Sequence, residues 1–450
     1  MAGSTIAPAR PGAPRPASTC APCPPRSRAA WSMSDWPMAA DPIVIIGGGE
    51  SAACAIAGLR SEGYRGPVVW VCEEAIHAYE RPTLSKQFLG SGDARPSSVI
   101  PAELLDDPGI DIRLDTRATH LDAGNRLVTL NGSEQIAYSG LLLATGAEAR
   151  DLDLPGRNPA RWLTLRRASD AARLRPCLNA QSRIVIVGAG LIGLELAAAA
   201  RMAGAQVTVI ESQDRPLARV LPPAIADIAL ARHRRMGVAF QFGASIAGVE
   251  SGPEGERIVL GSGAEITADL VLVAIGSVPR TELAESAGLA IANGVALDAQ
   301  LRTSHPDIWA SGDCCAFPLD GRMVRLESWE AARLLGEIAG RNMAGRALQA
   351  DILPWFWSDQ YDLGIQGLGL PPDGATVVHR TLGPDSALAF VLCPEGRLRA
   401  IQGIGPETSI AKHIKRARQF IRDGAVSDPA ILQDADQSIW AAFRPLAVAS

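Results

Sequence analysis

The chain reads as an α/β protein: two parallel-sheet units, with a smaller α+β segment at the C-terminal end. Three observations predict this. Two apolar runs, at 43–46 and 184–187, each lead into a glycine-rich turn and then an Ala/Leu-rich helical stretch, about 140 positions apart. A second β run ending in glutamate follows each helix, at 67–74 and 207–211. Runs that are apolar on both faces and alternate with helices favour parallel strands covered on either side.

Composition narrows the class. Apolar residues make up 47% of the 450 residues and charged residues 20%, enough for sizeable cores. Net charge is −5 without a dominant basic block, which argues against a nucleic-acid partner. No apolar stretch is long enough for a membrane span. Eight cysteines at irregular spacing do not make a disulfide scaffold, so a cytoplasmic setting is expected. Residues 1–40 are rich in proline and arginine and are expected to be a disordered or over-called extension, with Met33 or Met38 as the natural start. Cys20 and Cys23 in that stretch lack the helix that a redox CxxC pair needs.

In the first unit, "IVIIGGGESAA" places Gly47, Gly49 and Ala52 in a G-x-G-x-x-A turn between strand and helix. The first glycine permits the turn and the second lets backbone approach a pyrophosphate. The third small residue lets the helix close on the strand. Glu73 or Glu74, ending the next strand, offers a carboxylate to a ribose diol.

The second unit repeats the device. Gly188, Gly190 and Gly193 stand in "VGAGLIGLELA", with Ile192 inside the turn, and Glu211 follows Gly188 by 23 positions, a ribose-carboxylate spacing. An acid there opposes a 2′-phosphate and favours NADH, although Arg215 nearby softens the opposition. Later strands end in the small residues of "LLLATGA", with Thr145 and Gly146, and "VLVAIGS", with Gly276. Two such cradles in one chain point to two dinucleotides, most economically FAD and NAD. The fold class is therefore α/β: two three-layer Rossmann-like FAD/NAD(P)-binding domains plus a C-terminal α+β domain. One block stands apart. Aromatic residues are 5% of the chain, yet Trp355, Phe356, Trp357 and Tyr361 crowd together, either as core or as a wall against a flat ligand.

From about residue 41 the motifs "GGGESAA", "YERPTLSK", "LLLATGAEAR", "VGAGLIGLELA", "IWASGDC", "RLESWEAA" and "PWFWSDQYD" run in order. With these, the chain resembles the FAD-dependent pyridine-nucleotide oxidoreductases, within them the ferredoxin and rubredoxin reductases that feed oxygenases. It is most similar to reductase components of aromatic-ring-hydroxylating dioxygenases such as the phenylpropionate/cinnamate type. The resemblance implies that Glu73 holds the FAD ribose, and that Arg81 and Lys86 reach the FAD phosphates and isoalloxazine. It makes Arg150 a further FAD contact and Asp313 a partner of the ribityl chain. It pairs Glu195 with Lys86 beside the flavin N5. Glu327, Ser328 and Trp329 become a loop touching both cofactors, and Trp357 an aromatic on the flavin edge. Three positions depart from the pattern: Leu335 replaces a usual glutamine, Cys72 a common glycine, and Glu50 puts an acid inside the first glycine-rich turn. That acid is awkward beside a pyrophosphate unless it points to solvent.

The implied order is an FAD domain at 41–155 and 281–346, an NAD domain at 156–280, and a reductase domain at 347–450. Hydride passes from NADH to FAD, with Lys86 and Glu195 as the residues attending it. The site region has no cysteine, and Cys54, Cys72, Cys314 and Cys315 read as small buried hydrophobes. Electrons are then expected to leave singly to a 2Fe–2S ferredoxin serving a Rieske oxygenase or a cytochrome P450. Basic residues at 412–422 offer it a docking face. No metal site is expected, and the protein is expected to be a monomer or homodimer. Two rival readings share these motifs: an NADH oxidase or disulfide reductase, and an NAD(H)-sensing flavoprotein resembling apoptosis-inducing factor.

Overall fold

The computed structural model describes residues 41–90 and 97–444, so the expectations for residues 1–40 lie outside the described residues. Strand β1 (Ile43–Ile46) is fully buried and leads through the first glycine turn into α1 (Glu50–Ser61). Next come β2 (Val68–Val71), β3 (Ile110–Arg113) and β4 (Gly140–Leu143). The second unit starts with β5 (Trp162–Leu163) and β6 (Arg183–Val187), followed by α2 (Leu191–Met202) and β7 (Gln206–Ile210). Helix α3 (Pro223–Arg235), β8 (Ala239–Gln241) and β9 (Leu270–Val273) complete it. The chain then supplies β10 (Ile308–Ala310) and α4 (Trp329–Met343). The C-terminal part contributes β11 (Trp355–Gln360), β12 (Leu363–Gly369), β13 (Thr376–Gly383), β14 (Ser386–Leu392), β15 (Leu398–Gly405) and α5 (Glu407–Arg422).

Three five-stranded sheets organise these elements. The first, in the order β10-β4-β1-β2-β3, is parallel throughout, with Ile43 opposite both Val68 and Gly140. The second, β8-β7-β6-β9-β5, is also parallel. The third, β11-β12-β15-β14-β13, is antiparallel, with the aromatic block on its edge strand and the apolar face of α5 packed against it. Strand β10 joins the first sheet from far down the chain, which carries "SGD" back to the first glycine turn. The segments Ala147–Ala149 and Ser277–Pro279 pair antiparallel between the two Rossmann-like units.

Close backbone contact fixes the entry of α4. A Cβ at Gly336 would lie 2.2 Å from Ser51 O, and one at Gly340 would lie 1.9 Å from Ala55 O. Helices α1 and α4 therefore touch main chain to main chain, which only glycine allows. Ser328 caps α4, its hydroxyl accepting from the Ala331 amide at 3.3 Å. Leu335 is 1% exposed and packs into the first core, so this departure from the family pattern is a core substitution.

Candidate active site

One cavity of about 500 Å³ lies between the two glycine turns. Gly47 and Gly49 face it from one side, Gly190 and Ile192 from the other. Thr145, Gly146 and Gly276 line it at the strand ends, with Asp313, Glu327, Ser328, Trp329 and Trp357 along its length. Gly47 has φ +136°, and a Cβ there would meet Ala144 O at 2.0 Å. The Trp70 indole N–H donates to Gly47 O at 2.7 Å and braces the turn from below.

Charge gathers at one end. Arg280 donates to Glu73 at 2.6 Å, with Arg167 at 3.5 Å and Arg117 at 3.9 Å from the same carboxylate. Burial pushes the Glu73 carboxyl up, but the hydrogen bond and charge of Arg280, with Arg167 and Arg117, outweigh it and hold the group below the usual range. Glu148 also pairs with Arg167 and Arg280. Glu74 instead accepts from Tyr79 at 2.8 Å and Arg81 at 3.0 Å, which ties the Tyr79–Lys86 segment to the end of β2. Arg166 holds Asp313 at 2.8 Å.

The other end centres on Lys86. The short 3-10 turn Arg81–Ser85, with Pro82 near its start, buries Leu84 and turns Ser85 and Lys86 toward α2. Lys86 Nζ lies 2.8 Å from Asp359, 3.7 Å from Glu195 and 5.0 Å from the centre of the Trp357 ring. Glu195, 5% exposed, accepts from Ser358 Oγ at 2.6 Å and from the Ser85 hydroxyl. Burial pushes its carboxyl up, and Lys86 and the two hydroxyls only partly offset that. Trp357 stacks on Trp355 at 4.9 Å and meets Trp329 edge-on at 5.9 Å. Phe356, Trp357 and Trp329 face the cavity, whereas Trp355 packs on the third core. The aromatic block is thus both wall and core.

Several predicted residues stand off the cavity wall. Ala52, Gly188 and Gly193 shape the turns beneath it. Glu211 accepts from the Ala189 amide at 2.7 Å and the Gln213 amide at 2.9 Å, at the tip of β7. Arg150 is not brought to the cavity: it follows the end of the Ala147–Ala149 strand and is exposed, while Glu148 faces the cavity from within that strand. Glu50 does not point to solvent. It faces the cavity half-buried, and burial pushes its carboxyl up. Reading the sequence missed Arg166, Arg167, Arg280, Glu148, Ser85 and Asp359. Only the last three sit in motifs quoted above.

The sequence matches the pyridine nucleotide-disulphide oxidoreductase family over residues 41–336 and the reductase C-terminal family over residues 355–443. The chain belongs to the pyridine nucleotide-disulphide oxidoreductases. Within this family it is 36% identical over 403 residues to the anthranilate 1,2-dioxygenase system ferredoxin–NAD(+) reductase component of Burkholderia cepacia, covering 88% of this chain and 98% of the relative. It is 39% identical over 336 residues to the rubredoxin–NAD(+) reductase of Pseudomonas putida, covering 74% and 87%. Among solved structures, the covalent putidaredoxin reductase–putidaredoxin complex aligns with a TM-score of 0.81 at 30% identity, covering 88% of this chain and 96% of that one.

Proposed function

We propose that the chain is an NADH-dependent FAD flavoprotein, a ferredoxin–NAD(+) reductase that passes electrons singly to a 2Fe–2S ferredoxin. That ferredoxin would feed a Rieske-type aromatic dioxygenase or a cytochrome P450. The observation that carries this reading is the Lys86–Glu195 pair in the one cavity onto which both glycine turns open. No cysteine lines that cavity among the described residues.

The site fits the two nucleotides. The first turn is a cradle that a Cβ would fill, and the Glu50 carboxyl and the Trp329 indole N–H meet at the cavity wall. Gly47, Gly49 and the α1 N-terminus would take the FAD pyrophosphate, Glu73 the ribose, and Arg81 and Asp313 the linker. Gly190 and Glu211 would take NAD. FAD held there would supply two-electron acceptance from NADH and one-electron release. The protein's share is position and electrostatics. Lys86 places a positive charge where the cradles meet, and Glu195 holds it there. Trp329 and Trp357 exclude water.

Residues 41–155 with 281–346 form the FAD domain in this reading, 156–280 the NAD domain and 347–450 the reductase domain. A cytoplasmic location belongs to the same proposal, since NADH is replenished there. Among the described residues no helix is long and apolar enough to cross a membrane. The test is reconstitution. Purified yellow protein with NADH should reduce cytochrome c only when ferredoxin is added. Protein that stays colourless after incubation with FAD overturns the reading.

A further inference from the structure

Behind Glu195 lies a buried chain of side chains that the reaction as described does not use. Ser358 and Gln360 share one face of β11, as residues two apart on a strand do, and are 0% and 2% exposed. Ser358 Oγ donates to Glu195 Oε1 at 2.6 Å, and Gln360 Nε2 donates to Ser358 Oγ at 3.1 Å. With its amide N–H spent on Ser358, Gln360 offers its carbonyl to His233 Nε2 at 3.0 Å. That bond makes His233 Nε2 the donor, and Nδ1 then accepts from the Tyr361 hydroxyl at 3.3 Å. Every donor in the series points toward Glu195.

The far end of the chain is strained. Tyr361 opens the two-residue loop between β11 and β12 with φ +59°, a left-handed position that such hairpins ordinarily give to Gly or Asn. Strain of this kind persists only where surrounding contacts impose it. Here helix α3 imposes it: His233, 0% exposed, holds the Tyr361 hydroxyl, and Arg232 pairs with Asp362 at 2.6 Å.

We propose that Ser358, Gln360 and His233 are positioning residues for hydride transfer: a one-way donor chain, anchored on α3, that holds the Glu195 carboxylate turned toward Lys86. The inference rests on the reading of Lys86 and Glu195 given above. It makes the C-terminal sheet part of the electron-input machinery as well as a cover over the cavity. Burial pushes the His233 imidazole down to about 4, so the ring is a neutral relay of orientation rather than a charge. The charged groups facing Glu195 are Lys86 from the 81–86 turn and Asp359 from β11. Ser85 and Ser358 face it as neutral hydroxyls. Both hydroxyls draw the Glu195 carboxyl down against its burial, so losing Ser358 raises the pH at which it protonates.

The test uses the holoprotein and anaerobic stopped-flow reduction by NADH across about pH 5.5 to 9. Ser358→Ala should move the acid limb of the reduction rate up by about one pH unit, a tenfold change in proton affinity. Gln360→Leu should move it less in the same direction, and Ser358→Thr should restore it. A protonated-carboxyl infrared band, assigned by its loss in Glu195→Gln, should appear in Ser358→Ala at a pH where the parent protein lacks it. If Glu195→Gln slows reduction while Ser358→Ala and Gln360→Leu keep the parent pH profile and infrared spectrum, the donor chain is overturned and the Lys86–Glu195 reading stands. If Glu195→Gln reduces like the parent, both fall together.

Discussion

Glu50 and Lys86 show what single side chains contribute. Burial raises the Glu50 carboxyl, so it is neutral at low pH and ionises as pH rises through its raised value. An anionic pyrophosphate at the α1 N-terminus then meets a like charge. FAD binding is therefore expected to weaken toward alkaline pH. Glu50→Gln should tighten it about tenfold near pH 8, about 1.4 kcal/mol, and the gain should shrink as pH falls below that raised value. Flavin fluorescence titration of apoprotein measures this. Lys86→Met strands the buried Glu195 and should cost about 3 kcal/mol of apoprotein stability near pH 8. Glu195 has a raised folded-state value, so this penalty is complete above that value and disappears as pH falls below the ordinary carboxylate range. Urea unfolding near pH 8 and again below the ordinary carboxylate range checks the sign. The motif "RPTLSK" made Arg81 and Lys86 legible in the sequence. Arg280 and Arg167 were not, because their roles come from crossing segments more than ninety positions from Glu73.

Helix contacts and helix faces carry the next predictions. Gly340 touches the Ala55 carbonyl across the α1–α4 seam. Gly340→Ala must push the helices apart, at about 1–3 kcal/mol, and displaces Trp329 from the cavity wall. A lower melting temperature and a reduced flavin-to-protein ratio are expected together. Helix α5 buries Ile410, Ile414, Ala417 and Ile421 and exposes Lys412, Lys415, Arg416 and Arg422. Arg418 pairs with Glu330 of α4 at 3.3 Å, next to Trp329. An acidic iron–sulfur partner would be steered to this face. Charge reversal at Lys415 and Arg416 should slow ferredoxin reduction at least several-fold and leave small-dye reduction intact. Equal loss in both assays would remove α5 from the docking site. Strand–turn–helix order made the elements readable in the sequence. The α1–α4 seam was not, since a glycine inside a helix does not say which backbone it meets.

For the whole molecule, electron flow turns on the absence of cysteine, among the described residues, from the cavity wall. Cys314 and Cys315 are fully buried behind the strand end, and burial pushes the thiols of Cys54 and Cys72 up to about 12, far from reactive thiolate. Anaerobic NADH titration should therefore saturate at one two-electron equivalent per flavin. A second equivalent with titratable thiols would overturn the thiol-free route. NADH should be preferred over NADPH, because Glu211 ends β7 and the Arg215 guanidinium is engaged by the carbonyls of Ala218 and Leu221. By itself the sequence determined the two nucleotide cradles, because glycine spacing, strand composition and a terminal carboxylate are local properties that backbone sterics enforce within about thirty residues. Only the tertiary structure decided that both cradles open onto one cavity and that Ser85, Ser358 and Asp359 converge on the Lys86–Glu195 pair. It also decided that Arg150 stays outside while Glu148 faces in. Those outcomes depend on how three sheets pack, and no local pattern encodes the direction in which a distant side chain arrives.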